Sequence, residues 1–426
     1  MTSAVDTRVA TRVHAEPAKR PWVFKMTWPR AYLLSFVAIG AFAAAYRLLF
    51  GLGSATNLSD RWPWGIWVWW DVMVGVALAG GGYSMALLVN FLGREKYKPL
   101  ERAAFLTSLI GYLLVVGGLF LDLGRWMNVW RVPFFWKGNP HSVMFELVWC
   151  VSGYTLVQIV EFGHIYVERV RMPRLEHVLH KIYAPVLTIG VILPFLHQSA
   201  LGSLYLIAKG RLDPLWWTMM LPIFFLMSSF FIGPAMVTNE AFLSAKFRGH
   251  KPPVRVLGQL VRISGAMMLV YFGLKIADLV SRGVLSNLLD GSTQSMLFIT
   301  ELLVGILIPA LIFLNPIARR KPRWLVAGST MAVIGLALNR GNVVFAGMAE
   351  QANGAVYFPS MIEMAVTVGL VAAGVMAYAF VSDNFPIIPE GESETPASAK
   401  AVTRSRPYTV TVPKPRIRSE EEEPPS

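Results

Sequence analysis

The chain has a single cysteine, Cys150, among its 426 residues, and only seven histidines. One thiol cannot close a disulfide, and an ordinary iron–sulfur cluster needs several thiolates, so neither is expected within this chain. Charge is scarce as well. Asp, Glu, Lys and Arg make up 15% of the residues, against about 25% in an average soluble domain. The alternation of apolar and polar residues that marks a half-buried strand is missing throughout. No apolar stretch precedes about Ala31, so no cleaved signal peptide is expected. The histidines also argue against haem, which in a membrane bundle is usually held by two imidazoles at one depth. His14, His177, His180 and His250 fall in tails or loops and His164 lies near the inner end of its segment. Only His141 and His197 could share a level, and haem b is not expected.

What the chain has is apolar length. Hydrophobic residues are 54% of the total, with 14 Trp and 25 Phe, and ten stretches are long enough to cross a hydrocarbon core, which takes about 20 residues of helix. They fall at 31–50, 64–92, 103–123, 142–167, 181–207, 215–243, 256–280, 295–316, 323–343 and 360–381. Helices satisfy their own backbone hydrogen bonds in lipid, which an open sheet cannot, so the expected fold is an all-α integral membrane protein of about ten transmembrane helices. Most of the 39 Lys and Arg residues fall in the two tails and in the loops GREKYKPLER, ERVRMPRLEHVLHK, AKFRGHKPPVR and ARRKPR. All of these lie on one side of the membrane if the helices alternate, and the positive-inside rule makes that side cytoplasmic, with both termini there. The formal charge of +13 is thereby explained by topology beside anionic lipid and calls for no nucleic acid. A basic cytoplasmic tail over 1–30, a membrane domain over 31–385 and a disordered cytoplasmic tail over 386–426, rich in Pro, Glu and Ser, complete the expected organisation.

Ionisable residues inside a membrane are costly and mark functional sites by default. Near the outer face the sequence places Asp71, Asp122, Glu146, His197, Lys275, Asp278, Glu301, Arg340 and Glu363. Deeper lie Gln158, Glu161, His164, Asn239, Glu240 and Arg262. The stretch from Phe120 to Glu146 brings Asp122, Arg125, His141 and Glu146 to the facing ends of two apolar segments. For Lys275 and Asp278, at i,i+3, the simple reading is an ion pair on one helix face. His197 follows Pro194, where proline frees a backbone carbonyl and small residues open the packing. Gln158, Glu161 and His164 recur at successive turns of the fourth segment. Two readings of them stand, a proton path that includes Glu146 or interhelical hydrogen bonds. The run WPWGIWVWWD at 62–71 reads as an interfacial aromatic belt, whose rings, Trp67 among them, could also flank a flat apolar ligand. GLFLDLGR at 118–125 echoes GLKIADLVSR at 273–282, and acids follow at 146 and 301. That suggests two four-helix bundles, spans 2–5 and 6–9, as a parallel repeat.

Together RLLFGLGSATNLSDRWPWGIWVWWD, LDLGRWMN, HSVMFELVWC with VEFGHIYVERV, and LPFLHQSALGSL resemble the NrfD/polysulfide-reductase family of membrane subunits. Within it the likeness is strongest to the membrane (b-type) subunits of periplasmic [NiFe] uptake hydrogenases, and it runs from about Arg47 to Pro389. The resemblance implies a ten-helix anchor in the bacterial cytoplasmic membrane. Such an anchor exchanges electrons with a periplasmic ferredoxin-like iron–sulfur subunit, beside hydrogenase large and small subunits, and passes them to menaquinone or ubiquinone near the periplasmic face. It also implies no complete activity from this chain alone. Carried over motif by motif, His141 or His197 would hydrogen-bond a quinone carbonyl, and Asp122 would donate or accept a proton. Arg125 would hold Asp122 ionised or anchor the headgroup, Glu146 would relay protons, and Asp71 and Trp67 would line the site. The same quinone role in a polysulfide, tetrathionate, molybdenum or multihaem complex is the alternative. A secondary transporter is the reading from another class, but its site should gather at the bilayer centre, whereas these residues gather at one surface.

Overall fold

A computed structural model describes residues 22–387, apart from 132–133, 135–137, 140, 171, 208–209, 250, 350–355 and 386. Both expected tails fall largely outside the described residues. Ten helices are long and apolar enough to span a membrane, and no strand occurs among the described residues. They are α1 (Trp28–Phe50), α2 (Trp67–Phe91), α3 (Lys98–Asp122), α4 (Val143–Val170), α5 (Pro173–Leu204), α6 (Leu221–Arg248), α7 (Val254–Ser281), α8 (Thr293–Leu314), α9 (Pro322–Ala349) and α10 (Met361–Asn384). The all-α membrane fold expected from the apolar runs is the fold found.

Local chemistry sets the ends. Proline sits in the first turn of α1, α3, α6 and α9, where its missing N–H costs nothing. Ser360 and Glu363 form a reciprocal capping box on α10, and Ser292 caps α8 by accepting from the Ser295 N–H. Gly249, at φ 73°, stops α6 in the left-handed conformation that glycine alone adopts freely. Two helices begin well before their apolar runs, α3 at Lys98 rather than 103 and α5 at Pro173 rather than 181. Hydropathy marks where a helix enters lipid, and these two continue beyond that level.

α2 to α5 pack as one group and α6 to α9 as another, joined where α6 meets α2 and α5 and where α9 meets α2. α1 and α10 pair with each other and lie against α3. The α1–α10 contact depends on Gly40 and Gly369: a Cβ on Gly40 would sit 2.7 Å from the Gly369 Cα. Such small-residue seams are how helices associate where lipid removes the hydrophobic drive. Residues 22–27, assigned from the sequence to the tail, run extended against α10. Asn384 there accepts from the Val23 N–H (2.7 Å) and donates to its carbonyl (2.9 Å). Asp383 is paired by Arg30 (2.7 Å) and Arg248 (3.2 Å).

Because the helices alternate, one end of the assembly collects the C-terminal ends of α1, α3, α5, α7 and α9 with the N-terminal ends of α2, α4, α6, α8 and α10. Asp122 lies at this end.

Candidate functional site

Four helices bring ionisable groups together around Asp122. Arg47, from the last turn of α1, is fully buried and reaches the C-terminus of α3, donating from Nε to the Leu121 carbonyl and from Nη2 to that of Leu123, each at 2.5 Å. A cation over the free carbonyls of a helix end is favourable, and the same guanidinium is the positive charge acting on Asp122. Its Nη1 is buried without a partner. Asp71, in the first turns of α2, is buried and accepts from the Thr367 hydroxyl of α10 at 3.0 Å. Gly118 of α3 makes the room, since a Cβ there would lie 2.8 Å from that of Asp71. The N-terminal stretch Trp67–Val74 is a π-helical turn, a widening that recurs at functional sites.

Glu363 of α10 is the hub beside this group. Its carboxylate accepts from the Tyr357 hydroxyl (2.7 Å) and from the backbone N–H of Ser360 (2.8 Å) and Asn57 (3.0 Å). Its carbonyl accepts from the Trp67 indole at 3.2 Å. Tyr357, in the segment before α10, also accepts from the Ile66 N–H at 3.0 Å. Burial first, and the hydrogen bond to Glu363 second, push its phenol well above the ordinary tyrosine range.

A second polar group runs down the first bundle. His197 is fully buried, three residues past Pro194 of α5. Its Nδ1 lies 3.0 Å from the Leu193 carbonyl, which can only accept, so Nδ1 carries the proton. Nε2 is then the acceptor for the Tyr112 hydroxyl at 2.5 Å. Tyr112 meets Tyr154 edge-on at 4.6 Å. Below them Gln158 donates to the Ser108 hydroxyl and Glu161 is buried. Gln198 is fully buried with neither amide atom partnered. Buried polar atoms of this kind are usually satisfied by ordered water.

The second bundle has a different centre. Glu301 of α8, with no exposure, accepts from Lys275 Nζ (2.9 Å), Asn339 (2.6 Å), Asn342 (3.0 Å) and the Trp216 indole (3.1 Å). Arg340 is buried beside it, donating to Asn339 (2.8 Å) and Ser228 (2.7 Å) and lying 3.6 Å over the Phe225 ring. The expected Lys275–Asp278 pair does not form. Asp278 instead takes Arg282 (2.8 Å), and Thr218 donates to it at 2.6 Å. The buried acid across the bundle wins Lys275 because an unpaired carboxylate there would cost far more than a surface i,i+3 pair returns.

Of the residues singled out in the sequence, Asp71, Asp122 and Trp67 share one site, while His197 is buried in the Tyr112–Tyr154 group. Arg125, His141 and Glu146 do not join them. All three are exposed, and the cation near Asp122 is Arg47 rather than Arg125. Glu146 also stands apart from Gln158 and Glu161. At about 100° per residue, twelve residues turn it roughly a third of a circle from Gln158, so Gln158 connects to Ser108 of α3 instead. His164, half-buried, lies against the rings of Tyr183 (4.6 Å) and His180 (5.3 Å), its Nε2 unpartnered. The echo between the halves stops at the acids, since Glu146 is exposed and Glu301 fully enclosed. Arg47 was missed although a lone arginine in an apolar run is itself a signal, and Tyr112 was missed because nothing in the sequence marks it. Among the described residues no three His, Cys, Asp or Glu side chains converge as a metal-ligand set.

Comparison with known proteins identifies the family. The chain is 32% identical to the probable Ni/Fe-hydrogenase 2 b-type cytochrome subunit of Escherichia coli K12, over 80% of this chain and 88% of that protein. It is 27% identical to the menaquinone reductase integral membrane subunit of Nitratidesulfovibrio vulgaris, over 86% and 92%. To the Hdr-like menaquinol oxidoreductase integral membrane subunit of Archaeoglobus fulgidus it is 22% identical, over 84% and 92%. The profile of the family described as polysulphide reductase, NrfD, matches residues 54–352, which span α2 to α9. The chain therefore belongs to the NrfD polysulphide reductase family of membrane proteins.

Proposed function

We propose that the chain is the quinone-exchanging membrane subunit of a respiratory oxidoreductase complex, and that the complex is a periplasmic [NiFe] hydrogenase. The observation that carries the quinone reading is the meeting of Arg47, Asp71, Asp122 and Glu363, from four helices, at one end of the bundle. Reducing a quinone takes two electrons and two protons. Electrons come from an iron–sulfur partner docked at that end, and protons move through groups able to hold and release them. Asp71 and Asp122 are the proton-handling acids, Arg47 fixes Asp122 and the end of α3, and Glu363 with Thr367 and Tyr357 holds α10 against them. His197, its Nδ1 proton committed to the Leu193 carbonyl and its Nε2 accepting from the Tyr112 hydroxyl, positions Tyr112 inside the first bundle. The Lys and Arg distribution supports placing the Asp122 end in the periplasm. The menaquinone reductase and menaquinol oxidoreductase relatives support the quinone reading, and the Ni/Fe-hydrogenase relative supports the hydrogenase reading.

The test uses the complex purified in mild detergent. Asp122→Asn and Asp71→Asn should each lower hydrogen-to-quinone turnover by about a hundredfold or more and leave hydrogen-to-dye turnover of the partner within twofold. Equal loss of both activities would mean failed assembly, and no loss of either would end the assignment. Co-purified hydrogenase large and small subunits with a ferredoxin-like protein support the finer reading. A molybdenum or multihaem partner would replace it with the same quinone role in another complex.

A further inference from the structure

Between α2, α8, α9 and the segment before α10 lies an open groove of about 440 Å³, within the range of about 300–1,000 Å³ of small-molecule sites. Its walls are Trp62, Trp69, Phe345 and Tyr357, with Leu297 and Ala346 between them. Trp69 and Phe345 meet edge-on at 5.4 Å, and Phe345 and Tyr357 are nearly parallel, 9° apart in plane and 5.6 Å between centres. The groove is bordered by the π-helical turn Asn342–Ala346 of α9 and by the one that opens α2.

Three of the side-chain donors around it are already committed. The Trp69 indole donates to the Ala337 carbonyl at 3.0 Å. The Asn342 amide donates to Glu301 at 3.0 Å. The Tyr357 hydroxyl gives its only proton to Glu363. A ligand headgroup that needs hydrogen bonds would find these donors spent, and would lose its own hydration for nothing in return. A hydrocarbon chain has no such demand and gains from burial against aromatic faces. Tyr357 also ties the groove to the acid group, its ring forming a wall while its hydroxyl holds Glu363.

We propose that this groove binds the prenyl side chain of a quinone. A prenyl chain is flat at each double bond and carries regularly spaced methyl branches, so it offers stacked rings more apolar contact per unit length than a straight acyl chain. The proposal rests on the quinone reading above, and its test separates the two. The intact complex is irradiated with a quinone bearing a diazirine in its tail, and the labelled peptides are mapped. Labelling should fall on Leu297 and residues 337–349, be displaced by unlabelled long-tailed quinone, and drop at least tenfold in Ala346→Phe, which fills the groove. The rim variant Ala349→Leu should reduce it less and guards against a misfolded first variant. Ala346→Phe should also raise KM about tenfold for a long-tailed quinone and leave KM for a tail-less one unchanged. Labelling elsewhere, labelling insensitive to both variants, or a parallel rise in both KM values would overturn the proposal. So would equal labelling by a diazirine phospholipid that the quinone fails to displace, since the groove would then hold a lipid acyl chain. Wild-type complex without any quinone turnover would defeat the quinone reading, and the labelling would still decide the groove.

Discussion

Removing the ammonium of Lys275 should unfold the second bundle more readily than any surface change in the chain. In Lys275→Met the Glu301 carboxylate keeps three donors, from Asn339, Asn342 and Trp216, but loses the one cation within ion-pair distance among the described residues. Breaking a buried pair from one side costs about 3–5 kcal/mol, and the site has no exposure through which water could relieve the charge. Glu301→Leu, which strands Lys275, should cost a similar amount. The double variant Lys275→Met/Glu301→Leu removes both charges, and apolar replacements of buried pairs are neutral or even stabilising. It should come back to within about 1 kcal/mol of the wild type, so the two changes are coupled by well over the few tenths expected of independent sites. Equilibrium unfolding of the purified protein in mixed micelles measures the cycle. If the double variant loses the sum of the single losses, the pair is not the unit that the geometry describes. Because Lys275 and Glu301 are given no part in the chemistry, the double variant should also keep quinone-linked turnover within threefold of the wild type.

Gly118→Ala puts a methyl group 2.8 Å from the Asp71 Cβ. It should cost about 1–3 kcal/mol as overpacking and depress quinone-linked more than dye-linked turnover, a split that a purely structural lesion would not show. In proteoliposomes Glu161→Gln should slow proton uptake coupled to turnover, whereas Glu146→Gln, exposed and about four helical turns away, should leave it unchanged. Loss in both would restore the path through Glu146 expected from sequence, and no loss in Glu161→Gln would sink any path through α4. Alkaline phosphatase fused after Arg125 should be active and fused after Arg248 inactive, and the opposite pattern would invert the proposed orientation.

The ten spans were legible because lipid demands unbroken apolar length, a signal local to each segment. Helix ends were less so. α3 and α5 extend beyond their apolar runs on polar residues, which hydropathy cannot tell from loop. At the site, Asp71 and Asp122 could be read as costly charges in an apolar setting. Their partners could not, because Arg47, Thr367 and Glu363 come from helices separated from them by tens to hundreds of residues. Short-range rules failed where long-range burial competed. Lys275 preferred a fully enclosed glutamate on another helix to an aspartate three residues away. The cation acting on Asp122 likewise comes from α1 rather than from the arginine that follows it in the motif.

The pairing of α1 with α10 sets an order for biogenesis. α1 leaves the ribosome before the other nine described spans, and it carries Arg47 together with Gly40, whose counterpart is Gly369. The arginine finds its carbonyls once α3 is made, but the glycine seam waits for α10. At about 5–20 residues per second that interval is roughly 15–60 s. Throughout it α1 must be held at the insertion machinery or stand in lipid with little beyond the end of α3 to hold it. A chain truncated before α10 should therefore retain both four-helix groups and still leave its first span without a principal neighbour, a ready mark for membrane quality-control proteases.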